Sequence, residues 1–480
     1  MGFDSIHSKF LNFASDDFIN NITYFLNACF THCYIPQMLL KGDISPIIKN
    51  KDGNKCDSNN YRPIMQSSCI LKILEMHVLE ILSNKIRFNH FQFGFVSDRS
   101  TTDACFILKE TIYNYINNKS KVYANFVDLS KAFDRVDHYL LLDKLIDKGI
   151  PPDIIMLLKS YLRTQSARIV WDGHCGRYQA VDQGVRQGGI LSPFLFNLYL
   201  DDLICKINSL DIGCKLGISR INIIVYADDI VLLADSKHNL EILYDTFNDL
   251  VRNLKLKVNY QKCKVMIFNS GRYHSDIESI VLIDQQFNVV SNFKYLGNFL
   301  TFNLDDEIDI NFKLNSFYRS FNLMYRSFMG MNIEVLLCLF NSLCSPQYGI
   351  PLWTSSNVFN KQYFRTFEVA YNNALKSMVG CPRYASSHVT AEICQQLMLR
   401  HGVSLVQARY INSLIKKNNP ILKMNISIIK NCHSFSFICK YFNNLYNINV
   451  LDNPIDIIIS RINWTQLHEP RSRYCNFYMM

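Results

Sequence analysis

The chain has 480 residues, 49% of them hydrophobic, and a formal net charge of +9. This length and composition predict a globular protein of two to four subdomains and argue against a disordered or fibrous chain. The 16 cysteines form no CxxC pairs, which argues against zinc sites and disulfides and favours the reduced thiols of an intracellular protein. Because no apolar run reaches about 18 residues and no targeting signal is evident, we expect no membrane contact, and a location in nucleus or cytoplasm stays open.

The first elements are predicted to be two helices that enclose a hairpin. Apolar spacing predicts a helix within residues 10–34 and another over residues 69–87. Between them, residues 39–49 are expected to form a strand that turns at 50–53 and returns at 61–64. This hairpin carries a basic residue on each arm.

A capped helix and a central strand are predicted next. After the loop Gln92-Phe-Gly-Phe95, Ser100 is suited to cap a helix that runs to about residue 116. Residues 122–129 are more uniformly apolar than a surface strand and therefore predict a buried central strand. Asp128 lies at the end of that strand.

Polar residues after this strand are expected to cap helices. Ser130 would cap a short helical turn that contains Asp134, and Asp137 would cap the following helix. Gly149 and Pro151 are expected to end that helix. For Asp134 and Asp137 we prefer capping to catalysis.

A glycine-rich loop, Gly184-Val-Arg-Gln-Gly-Gly-Ile-Leu-Ser-Pro193, leads into a helix predicted over residues 194–203. Its glycines allow a ligand to approach the backbone, while Arg186 and Gln187 offer hydrogen-bond donors. The segment Tyr199-Leu-Asp-Asp202 lies inside the predicted helix, where neighbouring side chains point about 100° apart. We therefore reject it as a metal site.

Two adjacent carboxylates interrupt the apolar segment 223–234. Four apolar or aromatic residues on each side predict two short strands, with Ala227-Asp228-Asp229 at the turn. Like charges side by side are stable at neutral pH only in water or beside cations. A polar hairpin tip and a divalent metal site are both consistent with this pattern. Asp128 favours the metal site, because an acid at the end of a central strand beside an acid pair suits two-metal phosphoryl transfer.

The rest of the chain is predicted to become helical and basic. Residues 240–254 form an amphipathic helix, and a loop with Lys262 precedes a strand that ends at 268. Residues 293–297 predict a short strand and turn whose aromatic and basic side chains suit nucleic acid, although a plain strand end has the same pattern.

The charge is distributed unevenly. Residues 311–480 hold 17 Lys and Arg against 6 Asp and Glu, which leaves 33 against 35 in residues 1–310. A catalytic region joined to a region that holds a polyanion has this distribution, and a solvated basic surface explains it equally well.

Taken in order, five motifs resemble the reverse transcriptase of LINE-type (non-LTR) retrotransposons. They are Tyr61-Arg-Pro-Ile, Gln92-Phe-Gly-Phe with Arg99-Ser-Thr-Thr, Phe126-Val-Asp-Leu-Ser-Lys-Ala-Phe-Asp, the loop 184–193, and Tyr226-Ala-Asp-Asp. Lys262-Cys-Lys and Phe293-Lys-Tyr-Leu-Gly297 match as well. The resemblance covers about residues 36–300, and the stretches 348–353 and Gly380-Cys-Pro look like its continuation.

The resemblance implies an α+β right-hand polymerase with fingers, a palm with an antiparallel sheet, a helical thumb and a helical C-terminal extension. Residues 1–35 would be an N-terminal helical extension, 36–300 fingers and palm, 301–400 a thumb-like helical region, and 401–480 the C-terminal extension.

The implied activity is RNA-directed DNA polymerisation, in which a DNA primer is extended with dNTPs along an RNA template. Asp128, Asp228 and Asp229 would hold two Mg²⁺ ions, with Mn²⁺ as a substitute, for phosphoryl transfer. Lys262 would lie near the leaving pyrophosphate as a proton donor.

The same resemblance implies further contacts. Lys49 and Arg62 would clamp the triphosphate, and Phe133 would be a steric gate against the ribose 2′-hydroxyl. The nucleotide pocket would include Arg186, Gln187 and Gly188. The primer grip would be Phe293, Lys294, Tyr295, Leu296 and Gly297.

The sequence departs from the family pattern at Val96 and Asp98, where a basic residue and a glycine are usual, and at Met65, where a small hydroxyl residue is commoner. We expect no endonuclease domain in the chain, so strand nicking would come from elsewhere. Cys432, Cys439 and Cys475 are not expected to form a Cys/His knuckle.

Two alternatives remain open. The first is a truncated, non-catalytic RNA-binding remnant of such an element. The second is an RNA-dependent RNA polymerase, which Phe133 disfavours because an aromatic gate would exclude ribonucleotides.

Overall fold

The structure is a computed structural model that describes residues 4, 6–217, 219–271, 278–344, 349–353 and 358–423. Predictions about Tyr348, Cys432, Cys439 and Cys475, and about the C-terminal extension after residue 423, lie outside the described residues.

The helices and strands alternate through the first 300 residues, and the later part is helical. The helices are α1 (Asp16–Thr31), α2 (Cys69–Lys85), α3 (Thr101–Asn117), α4 (His138–Asp147), α5 (Pro152–Arg163), α6 (Ser192–Asn208), α7 (Lys237–Asn253), α8 (Glu307–Phe328), α9 (Ile333–Leu343), α10 (Gln362–Met378), α11 (Ser387–Ile393) and α12 (Leu399–Lys416). The strands are β1 (Lys41–Ile48), β2 (Tyr61–Gln66), β3 (Val122–Asp128), β4 (Ser166–Trp171), β5 (His174–Cys175), β6 (Gln179–Ala180), β7 (Cys214–Leu216), β8 (Ser219–Ile221), β9 (Ile223–Tyr226), β10 (Asp229–Ala234), β11 (Lys264–Phe268), β12 (Ser279–Leu282), β13 (Gln285–Asn288), β14 (Asn292–Tyr295) and β15 (Asn298–Thr301).

A four-stranded antiparallel sheet lies at the centre, in the order β11-β3-β10-β9. Its strands are almost fully buried, as their continuous apolar sequences predict. The predicted central strand is confirmed, because β3 pairs with β10 on one side and β11 on the other.

A second sheet contains the predicted hairpin. Strands β1 and β2 pair antiparallel, with Ile47 opposite Arg62, which confirms the hairpin. The sheet continues through β4, which runs parallel to β1 and carries β5 and β6. No local sequence pattern predicts this pairing, because its partners lie more than 100 residues apart.

Capping was predicted correctly for two helices and wrongly for one turn. Ser100 and Asp103 form a capping box on α3, and Asp137 accepts from the amides of Tyr139 and Leu140 at the start of α4. The helical turn Phe133–Arg135 has no side-chain cap, so the expected role of Ser130 is wrong.

The first helix also differs from its prediction. It begins at Asp16, behind the cap Ser15, and a separate 3₁₀ turn (Ser8–Phe13) precedes it. The apolar spacing before Ser15 therefore belongs to a different element.

Two apolar cores are joined by α12. Val403 on this helix packs in the core of the later helices, whereas Ile411 and Leu414 pack in the core around the central sheet. The predicted boundary between residues 400 and 401 falls inside α12, and the division into a thumb-like region and a C-terminal extension stays a prediction.

A buried polar network also joins the later helices to the central sheet region. The Asp309 carboxylate forms an ion pair with Lys313 and accepts hydrogen bonds from the Trp353 indole (2.8 Å) and the Phe299 amide (3.0 Å). Lys109 on α3 forms a second buried ion pair, with Asp306 at 2.7 Å. Burial of these charges is tolerated because each is paired and hydrogen-bonded.

Within the described residues, the helices are too short or too polar to cross a membrane.

We expect Asp309→Ala to lower the free energy of unfolding by about 3–5 kcal/mol, because it leaves the buried Lys313 ammonium without its partner. Urea unfolding would measure the loss. Asp249→Ala is the matched control, since Asp249 and Arg252 form an exposed pair at 3.9 Å that should contribute little. Equal effects of the two substitutions would contradict the importance of the buried network.

Candidate active site

The central sheet ends in a tight turn that carries the acid pair. Strands β9 and β10 are connected by Ala227-Asp228, and Asp229 is the first residue of β10. Ala227 has φ +55°, a left-handed conformation that is uncommon for a residue with a side chain. The predicted hairpin is thus confirmed.

Strand register brings the third acid to the same place. Asp229 lies directly opposite Asp128 in the antiparallel pair of β10 and β3. Side chains of directly opposite residues lie on the same face of a sheet. Asp128 and Asp229 therefore lie on the same face at one end of the sheet, and Asp228 precedes Asp229 on the adjoining turn.

The backbone around Asp128 is fixed by the loop before β11. The Asp128 amide contacts the Cys263 sulfur at 3.4 Å, and its carbonyl accepts from the Asn259 amide at 2.8 Å. The Lys262 ammonium lies 3.6 Å from an Asp128 carboxylate oxygen, and its side chain is 66% exposed. Lys262 is thus in electrostatic contact with the acids.

The acids are poorly neutralised. Burial and then the nearby Asp128 carboxylate raise the pKa of Asp228. Restricted hydration, followed by repulsion from Asp228 and Asp128, raises the pKa of Asp229 to about 6. The Asp229 side chain is still reached by solvent, so the surrounding protein restricts its hydration without sealing it off. Arg62 and Lys262 oppose both shifts.

A cleft of about 260 Å³ opens beside the acids. Its lining residues are Phe126, Val127, Asp128, Asp229, Ile230, Lys262, Phe293 and Tyr295. Phe126 and Phe293 stack with ring centroids 4.4 Å apart, which gives the cleft an apolar wall. The buried Tyr295 hydroxyl, 3% exposed as a residue, has no hydrogen-bond partner among the described residues.

The acid set suits a hard divalent cation by its chemistry. Among the residues that the structure describes, no three Asp, Glu, His or Cys side chains are gathered closely enough to hold one ion. Carboxylate oxygens are the ligands that Mg²⁺ prefers, and the raised pKa values of Asp228 and Asp229 indicate a deficit of positive charge. A bound cation would correct that deficit.

The two basic residues of the β1–β2 hairpin lie in different surroundings. The positive charge of Arg62 opposes the rise in the pKa of Asp228 and Asp229, so Arg62 lies within electrostatic reach of the acids. The Lys49 ammonium donates to the Asn59 carbonyl at 2.9 Å and is engaged at the tip of the hairpin.

The glycine-rich loop docks on this hairpin. The Met65 amide donates to the Gln187 carbonyl at 2.7 Å, and a Cβ on Gly188 would lie 2.7 Å from the Met65 carbonyl oxygen. Gln187 also donates to the Asp134 carboxylate at 2.9 Å, so Asp134 is a partner of Gln187 and not the predicted cap.

Arg186 belongs to this loop, and Phe133 lies beside it. Arg186 is 3% exposed and donates to the Leu40 carbonyl and the Gln165 side chain, whereas one of its terminal nitrogens, Nη1, has no partner among the described residues. Phe133 is half-buried and stacks on Phe196 with centroids 4.4 Å apart.

The predicted primer grip is a second hairpin. Strands β14 and β15 turn at Leu296 and Gly297, which both have positive φ. Phe293 and Tyr295 line the cleft, whereas the Lys294 ammonium lies 4.4 Å from the Phe312 ring centroid on α8. The hairpin therefore contacts both the cleft and the later helices.

Sequence reasoning missed Gln92 and Cys263, whose side chains bond to backbone amides next to the acids. The available signals were the glycine two residues after Gln92 and the position of Cys263 between two lysines. Neither signal indicates a contact partner by itself.

An antiparallel sheet with three acids at one end, flanked by a helical region, is the palm of a right-hand polymerase. Residues 48–300, just over half the chain, match the family described as reverse transcriptase (RNA-dependent DNA polymerase). The chain belongs to this family, and its relatives are reverse transcriptases of non-LTR retrotransposons, as the motifs predicted.

Three relatives illustrate the similarity. The Pol polyprotein of the type-2 retrotransposable element R2DM of Drosophila melanogaster is 29% identical over 42% of this chain and 19% of its own length. The polymerase from the mobile element jockey of the same species is 25% identical over 56% and 30%. The probable polymerase from its transposon X-element is 24% identical over 88% and 46%. This chain thus spans less than half the length of each of these relatives.

Solved structures show a distant similarity. Apo telomerase from Candida tropicalis aligns over 93% of this chain and 74% of its own, with a TM-score of 0.43 and 12% identity.

We expect Asp229→Asn to stabilise the metal-free protein more near pH 7 than near pH 4. The folded-state pKa of Asp229 is raised from 3.8 to about 6, so the folded protein binds the proton more tightly than the unfolded chain. The contribution of this carboxyl group to the free energy of unfolding is complete below about pH 4 and is lost as the pH rises through about 6. Urea midpoints of both proteins at the two pH values would measure the difference. Equal changes at both would contradict the raised pKa.

Proposed function

We propose that this chain is an RNA-directed DNA polymerase that extends a DNA primer along an RNA template with dNTPs and two Mg²⁺ ions, or Mn²⁺ in their place. The observation that carries the proposal is the register that sets Asp128 opposite Asp229, next to Asp228 on the turn. Family membership supports the same reaction.

In this proposal, Asp128, Asp228 and Asp229 hold the metal ions. The ions, when bound, activate the primer 3′-oxygen and stabilise the charge that develops on the triphosphate. The carboxylates position that charge, and their restricted hydration strengthens their attraction for cations.

Basic residues would complete the triphosphate site. Arg62 already acts on the acids from the β1–β2 hairpin, and Lys49 would join it on closure of the hairpin. The exposed Lys262 side chain has the freedom to move from Asp128 to the leaving pyrophosphate, where its ammonium can donate a proton.

The nucleotide pocket would lie between the glycine-rich loop and Phe133. Because Phe133 stacks on Phe196, its ring is supported from behind and would occupy the space of a 2′-hydroxyl. The Asp134 contact fixes Gln187, and Gly188 lets the loop approach the hairpin. Arg186 would support the loop without contacting the nucleotide.

The primer end would rest against the cleft wall. Phe293 and Tyr295 would face it, with Lys294, Leu296 and Gly297 shaping the hairpin. We assign residues 36–300 to fingers and palm and the later helices to a thumb, with residues 1–35 as an N-terminal extension.

A non-catalytic RNA-binding remnant is the second candidate. It is favoured by one observation, that no three metal-binding side chains converge within the described residues. Such a remnant would bind RNA in a salt-dependent manner without Mg²⁺-dependent synthesis.

Asp228→Asn should reduce Mg²⁺-dependent dTTP incorporation on oligo(dT)-primed poly(rA) by about a thousandfold or more, because it removes a metal-binding charge. Asp202→Asn is the matched control, since Asp202 belongs to the similar tetrapeptide inside α6 and pairs with Lys144. The control should polymerise like the unmodified chain. Folded protein that binds RNA but incorporates nothing would instead support the remnant.

Phe133→Val should raise incorporation of ribonucleotides relative to deoxyribonucleotides by about tenfold or more, because the space of the 2′-hydroxyl is opened. Single-nucleotide extension with dTTP and UTP would measure the ratio. Phe13→Ala removes an aromatic ring that is 87% exposed and should leave the ratio unchanged. If Phe133→Val rejects UTP as strongly as the unmodified chain does, the assignment of Phe133 as the steric gate is wrong.

A further inference from the structure

We infer that residues 92–94 act as a bracket that holds the catalytic turn in place, with Gln92 as a positioning residue for Asp228. The sequence motif Gln92-Phe-Gly-Phe95 lies more than 130 residues before that turn and forms a loop. Its consequence for catalysis rests on the proposed function, whereas the bracket itself is a property of the fold.

The first part of the bracket is a backbone ladder. The Phe93 amide donates to the Val225 carbonyl at 2.7 Å, and the Val225 amide donates to the Phe91 carbonyl at 2.9 Å. Gln92 and Val225 thereby form a parallel bridge along the outer side of β9. The loop is registered on the strand that leads directly to the turn.

The second part is the Gln92 side chain, which is fully buried. Its carbonyl oxygen accepts from the Gly94 amide at 3.0 Å and from the Ala227 amide at 3.3 Å. One oxygen therefore fixes the loop and the turn to each other. A buried backbone amide has few other acceptors, so this contact is costly to lose.

The third part is the close approach of Gly94. A Cβ at this position would lie 2.5 Å from the Ala227 nitrogen and 3.0 Å from the Tyr226 carbonyl carbon. Both atoms belong to the backbone of the turn, so they cannot move aside without displacing it. The requirement for glycine here is steric, because a side chain of any kind would displace the turn.

Two further residues, Asn197 and Arg99, hold the bracket in place by hydrogen bonds to its backbone. Asn197 on α6 donates to the Gly94 carbonyl at 2.7 Å. The Arg99 guanidinium donates to the Asn89 carbonyl at 2.6 Å and to the Gln92 carbonyl. The motif pair Gln92-Phe-Gly-Phe and Arg99-Ser-Thr-Thr thus forms one assembly behind the acids.

The turn has physical reasons to need this support. Ala227 adopts φ +55°, a conformation that persists only where surrounding contacts enforce it. Asp228 and Asp229, which directly follow Ala227, repel each other. Without the bracket, we expect the turn to relax and Asp228 to move away from its place next to Asp229 and Asp128.

Exchange of backbone amide hydrogens tests the bracket independently of catalysis. In Gln92→Met, which keeps size but removes the acceptor, the Ala227 amide should exchange about tenfold faster or more than in the unmodified chain. Gln92→Glu keeps an acceptor oxygen and should exchange close to the unmodified rate. Peptides from α6 report whether each variant is folded.

Kinetics test the positioning role. Gln92→Met and Gly94→Ala should lower kcat for dTTP incorporation about tenfold or more, with KM for dTTP and RNA affinity within about twofold, because only the acids are displaced. Gly402→Ala is the matched control, since a Cβ there meets nothing within 4 Å. If Gly94→Ala does not fold, the two Gln92 variants decide the question.

Each outcome separates the two proposals. Unchanged exchange at Ala227 in Gln92→Met would overturn the bracket, and faster exchange with unchanged kcat would overturn its catalytic role. An inactive unmodified chain would count against the proposed polymerase, while the exchange data would still decide the bracket.

Discussion

The register of β3 and β10 is the constraint on which the site depends. It sets Asp128 beside Asp229, and these like charges repel at the end of two strands whose other residues are mostly apolar and buried. A shift of one residue would move every side chain of β10 to the opposite face, separate Asp229 from Asp128 and disrupt the packing on both faces of the sheet. Burial of those strands therefore supplies the free energy that keeps the acids together.

The later helices are connected to this site through buried charge. Asp309 on α8 holds the Phe299 amide of the β14–β15 hairpin and the Trp353 indole. The hairpin in turn forms one wall of the cleft beside the acids. Asp309 therefore links α8 to the cleft wall by a hydrogen bond, and the Phe299 and Phe312 rings, with centroids 5.2 Å apart, add a packing contact.

Sequence reasoning succeeded where the cause of a structure is local. Ser100 and Asp137 cap the helices that follow them, and the apolar runs around Asp228 form strands, because each depends on neighbours in the chain. It failed where side chains choose distant partners. The Leu40 carbonyl, which accepts a hydrogen bond from Arg186, lies 146 residues away, and no local sequence pattern indicates this partner. The contact between Gln92 and the turn escaped notice for the same reason.

The charges around the acids explain why the site suits a cation in spite of its two basic neighbours. Three carboxylates face Arg62 and Lys262, so one negative charge is left over at neutral pH. Restricted hydration, followed by repulsion from Asp228 and Asp128, raises the pKa of Asp229 to about 6, so Asp229 binds a proton and loses its charge as the pH falls through that value. A divalent cation would satisfy it without a proton and would release Lys262 from Asp128. In the proposed function, the same excess of negative charge would favour a bound cation and leave Lys262 free to meet the substrate.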